Sequence, residues 1–318
     1  MAQFTLYNYE FGKIKNLESA DLFGNTAVLM DAEEAFPQRQ QILDDILKRD
    51  YERSEEITFV NNYNNREYGH MHMMAPTDGM AVIRVRNIVR KRLYNADWTT
   101  EIREDYPDCI IIIDNRPGIQ RIAIETKQIA FKGIWTLPNI VSATLNKVLR
   151  PYSLYVELRN LPDERDFWGL VGDRQKYPNG FYKIRFHLPH LNLERLNKVF
   201  DLLSEEARRA FASDLTLELT AEKGGALSLD PNDTYQTELI HAVSEVGGRT
   251  AGTRQETVIS VYSNDNKRKP IHIGTNSFQT FYESNSTFDR LAEDAKGNTL
   301  FDSDALDIIK KQTKRGIN

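Results

Sequence analysis

The spacing of apolar residues predicts strands and a helix in the first part of the chain. Apolar and polar residues alternate over 4–9, which indicates an early strand. A helix is predicted over 38–51, because its apolar residues Ile42, Ile46 and Leu47 recur at helical spacing. Further strands are predicted at 57–61, 68–74 and 80–86. Thr77-Asp78-Gly79 has the composition of a turn between the last two of them.

The middle of the chain predicts the order helix, three strands, helix, strand. Its first segment, 88–94, fits either a short helix or an extension of the strand before it. The other elements are strands at 98–103, 109–114 and 119–127, a helix at 138–149 that begins with proline, and a strand at 152–159. The sequence Asn115-Arg116-Pro117-Gly118 predicts the turn that makes a hairpin of the second and third strands.

A stretch rich in turn residues, 161–180, predicts a domain boundary. After it, the pattern indicates a strand at 181–187, a helix at 191–211, a hairpin of 215–219 with 226–229, a helix capped by Asn232 or Asp233, and a strand at 257–262. This βαββαβ order is that of a ferredoxin-like unit. We therefore expect an α+β protein with an N-terminal α+β segment at 1–87, a core at 88–165, a ferredoxin-like domain at 178–276 and a polar tail at 277–318.

Composition narrows the class of protein. The 318 residues are 40% hydrophobic and 27% charged, which is typical of folded domains and not of disordered chains. The N-terminus lacks the features of a signal peptide, and no apolar stretch has the length of a membrane span. The single cysteine, Cys109, excludes an internal disulfide and favours a reducing, cytoplasmic location. A formal charge of −5 argues against bulk nucleic-acid binding but leaves room for a local basic patch.

Two carboxylates are predicted to face each other across the central hairpin. If Arg116 and Pro117 form the centre of the turn, Asp108 lies directly opposite Glu125, with Cβ atoms about 5 Å apart. Lys127 then shares their face, whereas a slip of one residue would separate the two acids. Opposed carboxylates repel unless a cation neutralises them, and Mg²⁺ and Mn²⁺ prefer carboxylate oxygens. We therefore predict a divalent metal site, beside which Lys127 orients or deprotonates a water or stabilises charge on a phosphate.

The sequence Pro107-Asp108, a spacer and Glu125-Thr126-Lys127 resembles the motif of the PD-(D/E)xK nuclease superfamily. The resemblance covers about residues 88–161, a quarter of the chain. It implies a restriction-nuclease-like mixed-sheet core in which Asp108 and Glu125 bind Mg²⁺ or Mn²⁺ and Lys127 assists the water. It also implies the backbone carbonyl of Thr126 as a further metal ligand, and a role in restriction, repair or defence against mobile DNA.

A compact basic cluster, without an acid among its members, precedes this motif. It consists of Arg84, Arg86, Arg90, Lys91 and Arg92. Near a metal site these residues would hold the phosphates of DNA or RNA. Without one, they would form a solvated face.

Other chemistry-bearing residues give weaker signals. His70 and His72 share one face of a predicted strand, but the sequence shows no third ligand for a metal. A hydrogen-bonded pair of histidines is the simpler interpretation. Cys109 lies in an apolar strand beside an acid, where a raised thiol pKa makes it a poor nucleophile.

These patterns leave two functions open. The first is a metal-dependent nuclease, or nuclease-like protein, that hydrolyses phosphodiester bonds of DNA or RNA. The second is a non-catalytic α+β module, in which the ferredoxin-like half presents a sheet to RNA or to a protein partner, a second copy included.

Overall fold

The computed structural model describes residues 1–14, 29–53, 56–94, 96–189, 214–246, 248–252, 258–265, 269–273, 278–294 and 303–314. The architecture is mixed α and β, as the sequence predicts. The chain divides into two compact units, Met1–Leu158 with Thr280–Asn318, and Arg159–Gln279.

In the first half of the chain, the helices and strands begin and end close to the residues predicted from the sequence. The strands are β1 (Ala2–Lys13), β2 (Phe59–Asn61), β3 (Arg66–His72), β4 (Met80–Arg86), β5 (Val89–Tyr94), β6 (Thr100–Asp105), β7 (Asp108–Asp114), β8 (Arg121–Glu125), β9 (Leu154–Asn160), β10 (Phe181–Pro189), β11 (Asp214–Thr220), β12 (Val258–Ser263), β13 (Ile271–Ile273) and β14 (Thr280–Glu283). The helices are α1 (Ala32–Ala35), α2 (Arg39–Arg53), α3 (Thr136–Leu149), α4 (Glu164–Gly172), α5 (Thr234–Val246), α6 (Asn285–Asp294) and α7 (Ser303–Thr313).

The first unit is built on one large sheet with the order β14-β1-β8-β7-β4-β3-β2, and β9 also pairs with β1. Neighbours along this order are antiparallel. Strands β7 and β8 lie near the middle, and the run from Ile110 to Ile113 is buried throughout. A continuous β-branched run suits such a position, because both faces of a central strand are covered.

The expected turn between β3 and β4 is confirmed. Thr77 and Met80 exchange backbone hydrogen bonds of 3.0 and 2.8 Å. Asp78 and Gly79 between them have φ values of 50° and 71°. Two positive φ values are the signature of a type I′ turn, which Asp-Gly favours.

Residues 88–94 form a strand, so the helical alternative for this segment is wrong. Strand β5 pairs only with β6 among the described residues, and the two make a separate antiparallel ribbon, 89–105. Nearly all of its side chains are exposed, so no buried face exists that would stabilise a helix here. The segments expected at 1–87 and 88–165 also share the large sheet, since β4 pairs with β7.

The second unit is a four-stranded antiparallel sheet with the order β11-β10-β12-β13. Its core contains Phe167 of α4, Val243 of α5, and Phe186 and Val261 of the sheet. The segment 161–180, expected to be a boundary, contains α4 and belongs to this unit, which begins at Arg159. Asp233 caps α5 as expected, since its carboxylate accepts a hydrogen bond of 3.1 Å from the backbone of Gln236.

The ferredoxin-like prediction for 178–276 is wrong. Strand β11 pairs antiparallel with β10, whereas a split βαβ unit would place these two strands parallel with another strand between them. Residues 226–229 form no strand. Their alternation instead reflects a loop whose Leu227 and Leu229 pack against the core. The predicted helix at 191–211 lies outside the described residues.

Residues 277–318 are not a polar tail, because they supply β14, α6 and α7 to the first unit. Strand β14 pairs with β1, and Phe281 stacks on Phe4 with ring centroids 5.0 Å apart. Phe288 of α6 lies 5.2 Å from the same ring. The large apolar residues Phe288, Leu291, Leu306 and Ile309 of its two helices recur at helical spacing and are buried, whereas Tyr282 and Ile308 are exposed.

A buried polar network fastens α7 to the central hairpin. Arg121 is fully buried and donates from Nη1 to the carbonyl of Thr313 at 3.1 Å and from Nε to Asn8 Oδ1 at 3.2 Å. Asp114, its cross-strand neighbour, accepts from Thr313 Oγ1 at 2.5 Å and from Arg116 Nη2 at 2.7 Å. A buried charge is stable only when it is paired and hydrogen-bonded in this way.

Candidate active site

The two predicted metal ligands lie at the ends of adjacent central strands. Asp108 is the first residue of β7, and Glu125 is the last residue of β8. The Glu125 carboxylate is buried and accepts a hydrogen bond of 3.0 Å at Oε2 from the backbone of Ile110. The Asp108 side chain is 23% exposed, so it opens this pair of acids to solvent.

Lys127 bridges the two carboxylates. Its Nζ lies 3.1 Å from Glu125 Oε1 and 3.5 Å from Asp108 Oδ1. A second cation approaches from β4, where Arg84 Nε lies 3.3 Å from Asp108 Oδ2. The structure therefore brings Asp108, Glu125 and Lys127 together on one face, and their role in catalysis stays a prediction.

The register of the hairpin differs from the expected one. Ile111 pairs with Ile124, which centres the turn on Pro117 and Gly118 and not on Arg116 and Pro117. The Ile119 N–H donates to the Arg116 carbonyl at 3.0 Å, and Gly118 has a φ of 77°. Proline at the second and glycine at the third position define a type II turn, which explains the register.

The register changes the partners of the acids but not their face. Moving the centre of the turn by one residue moves every cross-strand partner by two, and two residues along a strand return to the same side. Glu125 therefore lies beside Ile110, to whose backbone it hydrogen-bonds, and Lys127 reaches Asp108.

The electrostatics of the site define what Lys127 can do. Burial lowers the pKa of Lys127, but the charge and hydrogen bond of Glu125, together with the charge of Asp108, outweigh burial and raise the pKa above its ordinary value. Lys127 is therefore protonated at neutral pH. In this form Lys127 can orient a water or stabilise charge on a phosphate, and deprotonation of a water in the metal-bound site stays a prediction.

Thr126 is held from the opposite side. Its backbone N–H donates to the Gln3 carbonyl at 2.8 Å, and its Oγ1 lies 3.0 Å from Thr5 Oγ1. These contacts with β1 fix the chain between Glu125 and Lys127. The proposed ligation of a metal by the Thr126 carbonyl stays a prediction.

A pocket of about 380 Å³ adjoins the acids at the end of β8. It is lined by residues 124–128, the loop 131–134 and the first residues of α3, with Tyr7 and Cys109 also at its wall. This volume suits a small molecule or a single nucleotide unit rather than a duplex.

The residues of the predicted basic cluster differ in whether an acidic side chain lies beside them. Arg84 contacts Asp108, Arg90 Nε lies 3.1 Å from Glu104 Oε1, and Lys91 Nζ lies 2.5 Å from Asp105 Oδ2. Arg86 and Arg92 are exposed and form no ion pair within the described part of the chain. These two are the members of the cluster whose charge is available to a phosphate.

In the structure, Asp50 lies next to His70 and His72 and is a third residue of a type that binds metal ions. His70 Nε2 and His72 Nε2 each lie 2.8 Å from Asp50 Oδ2, and Asp50 belongs to α2. The signal in the sequence was the position of Asp50. It continues the helical spacing of the buried Leu43, Ile46 and Leu47. A carboxylate on the buried face of a helix requires a partner.

Cys109 has the environment that the sequence predicts. Burial, with a smaller contribution from the charge of Glu125, raises the pKa of the thiol to about 12. The thiolate fraction at neutral pH is therefore negligible. Cys109 therefore lines the pocket and does not act as a nucleophile.

No family model, curated protein or solved structure matches this chain. Within the described residues, no helix is long and apolar enough to cross a membrane.

Proposed function

We propose that the chain is a metal-dependent nuclease, or nuclease-like protein, that hydrolyses phosphodiester bonds of DNA or RNA. The observation that carries the proposal is the convergence of Asp108 and Glu125 on Lys127 at the ends of adjacent strands. Restriction or defence against mobile DNA is the role that its resemblance to PD-(D/E)xK nucleases implies. The single buried cysteine fits the proposed cytoplasmic location.

The order of elements supports a restriction-nuclease-like core. Helix α2 is followed by β2 and β3, then by the antiparallel strands β4, β7 and β8, which are neighbours in the sheet, and by α3 and β9. The two acids then lie on the second and third strands, as the superfamily requires. In the sequence, the ribbon lies between β4 and β7. Three features depart from the predicted core. The expected first helix and first strand form the ribbon, β2 and β3 lie between α2 and β4, and β1 pairs with both β8 and β9.

The donor set fits a hard divalent ion. Asp108 and Glu125 offer carboxylate oxygens, and only the Oε2 atom of Glu125 is occupied by a backbone hydrogen bond. A bound Mg²⁺ or Mn²⁺ ion would supply a water of lowered pKa at this site. Lys127 would then orient that water or stabilise the charge that develops on the phosphate, and Arg84 would hold Asp108 in place.

The ribbon is a candidate substrate-binding element, because it begins and ends next to the site. It leaves β4 after Arg86 and returns at Asp108, which are cross-strand partners. One of its faces carries Arg92 opposite Ile102, with Tyr94 beside them, and Tyr94 is 78% exposed. Exposed aromatic rings next to arginine are typical of surfaces that stack on bases and contact phosphates.

The proposed chemistry is tested by two substitutions that keep the shape of the acids. Manganese is expected to raise the melting temperature of the parent protein and to activate cleavage of DNA or RNA. Glu125→Gln and Asp108→Asn should each abolish both effects, because a hard ion needs the carboxylate charge. The glutamine can still accept the hydrogen bond from Ile110, so the fold should persist.

Glu104→Gln is the matched control, since it makes the same chemical change on the exposed ribbon, away from the acids. It should retain the manganese effect on melting. If manganese leaves the melting of the parent unchanged and no nucleic acid is cut, the nuclease proposal fails.

A second experiment tests the basic cluster. Arg86→Gln and Arg92→Gln are expected to weaken binding of nucleic acids equally for all sequences. Each should reduce the salt slope of log K by about 1, as for the loss of one phosphate contact. Salt titrations by fluorescence anisotropy measure this slope. Arg103→Gln is the control, because Arg103 lies on the opposite face of the ribbon and faces Glu101 at 3.6 Å. An unchanged slope in the first two variants would make the cluster a solvated face.

The exposed aromatic residues of the ribbon favour a second function, a non-catalytic binding module. Trp98, in the turn between β5 and β6, is 94% exposed. A large apolar side chain in this position is typical of a contact with nucleic acid or with another protein, a second copy included. Binding that depends on Trp98 without metal-dependent cleavage would place this function first.

A further inference from the structure

A second group of ligating atoms lies in the first unit, apart from the acids of the proposed active site. One oxygen of Asp50 and one nitrogen each of His70 and His72 lie within 4.8 Å of one another. His70 and His72 alternate on β3, so both point to the side on which α2 presents Asp50. The side chain of Asp50 is fully buried, and those of His70 and His72 are 10% and 4% exposed.

The three side chains are oriented by contacts outside the group. Asp50 Oδ1 accepts a hydrogen bond of 2.9 Å from the backbone of Ile57, which leaves Oδ2 to face the histidines. The ring of Phe59 lies edge-on against His70 at 5.2 Å, and the ring of Tyr51 lies edge-on against His72 at 5.8 Å. A ligand set held in this way is organised before an ion arrives.

The chemistry of the donors selects the ion. Two imidazole nitrogens and one carboxylate oxygen suit Zn²⁺ or Co²⁺, whereas Mg²⁺ prefers oxygen ligands alone. With neutral histidines the buried group carries one negative charge, which a divalent ion compensates. We propose that Asp50, His70 and His72 bind a zinc-class divalent ion that fastens α2 to β3.

The present distances fit this assignment after a small adjustment. Zinc bonds of about 2.0–2.1 Å separate ligand atoms by roughly 3.3 Å in a tetrahedron. The histidine nitrogens lie 2.8 Å from Asp50 Oδ2, so they have to move back by about 0.5 Å. Rotation of the rings supplies such a movement. Three protein ligands leave the fourth position of a tetrahedral ion to a water, and the low exposure of the three side chains fits an ion that fastens α2 to β3.

The test uses cobalt and zinc on protein first treated with a chelator. Cobalt should give the intense visible absorption of a tetrahedral ion in the parent, and zinc should displace it. Zinc should also raise the melting temperature of the parent. His72→Gln should weaken zinc binding by roughly 100-fold or more. Its amide N–H can still donate to Asp50, so the variant keeps the hydrogen bond and loses the ligand.

Two further variants separate this site from others. His70→Gln makes the same change at the more exposed histidine and serves if His72→Gln does not fold. Glu125→Gln should bind zinc as the parent does, because its carboxylate belongs to the separate acid site. The proposal is overturned if the parent shows neither the cobalt absorption nor the zinc effect on melting. It is equally overturned if both histidine variants bind zinc as tightly as the parent.

Discussion

Replacing Lys127 with alanine is expected to abolish cleavage and at the same time to strengthen binding of manganese. The ammonium group contacts both carboxylates, so it neutralises them in the absence of metal and competes with an arriving ion. Without it, Asp108 and Glu125 repel each other and bind a divalent cation more tightly. Loss of one group that stabilises charge in the transition state typically lowers kcat by about 10²–10³-fold.

Single-turnover cleavage and manganese calorimetry measure the two effects separately. Lys132→Ala is the control, because Lys132 lines the neighbouring pocket and contacts neither acid within the described structure. If Lys127→Ala loses manganese binding together with cleavage, the lysine supports the shape of the site and not the reaction. Weakened metal binding in the Lys132 variant would instead indicate a general effect of positive charge.

Replacing Arg121 with methionine is expected to lower the free energy of unfolding by about 2–6 kcal/mol, because two buried acceptors lose their donor and each unsatisfied buried group costs about 1–3 kcal/mol. The side chain is fully buried, and methionine fills much of its volume without supplying a donor. The buried Thr313 carbonyl and Asn8 Oδ1 each lose a hydrogen bond. The charge of Asp114 loses its cross-strand arginine.

Urea denaturation of the first unit, followed by a probe within it, measures this change. Arg92→Met is the matched control, because Arg92 is exposed on the ribbon, and such surface changes alter stability by about 0.5 kcal/mol or less. Equal stability of the two variants would show that α7 does not depend on the buried network.

The sequence predicted those elements whose apolar pattern is local and strong. Helix α2, strand β4 and strand β7 lie where their periodicity placed them. The turn at Asp78 and Gly79 was predicted from its composition, and the structure shows it to be type I′, with two positive φ values. For these elements, the residues of one short segment are sufficient to predict the local structure.

To predict the register of the central hairpin, the preference of proline and glycine for particular turn positions has to be considered. Proline followed by glycine occupies the two central positions of a type II turn, which places the centre between Pro117 and Gly118. The pattern of apolar residues alone does not distinguish the two registers. Both bury the same face, since they differ by an even number of residues.

Contacts between residues far apart in the chain could not be predicted from the pattern of apolar and polar residues. The buried Asp50 meets His70 and His72 only through the packing of α2 on β3. The segment after residue 277 is polar on average, yet Phe281 of β14, Phe288 of α6 and Ile309 of α7 are buried. Tertiary partners, and not local preference, decide whether such a segment is ordered.

The place of β1 in the sheet has a consequence for biosynthesis. This strand is translated long before its partner β14, which is the last described strand of the unit. At about 5–20 residues per second, Phe4 waits roughly 14–55 s for Phe281 to be translated. Strands β8 and β9 are translated earlier and also pair with β1, so only the edge of residues 2–5 that faces β14 stays open to aggregation for this whole time. The first unit can therefore complete its sheet only after residue 283 has been translated.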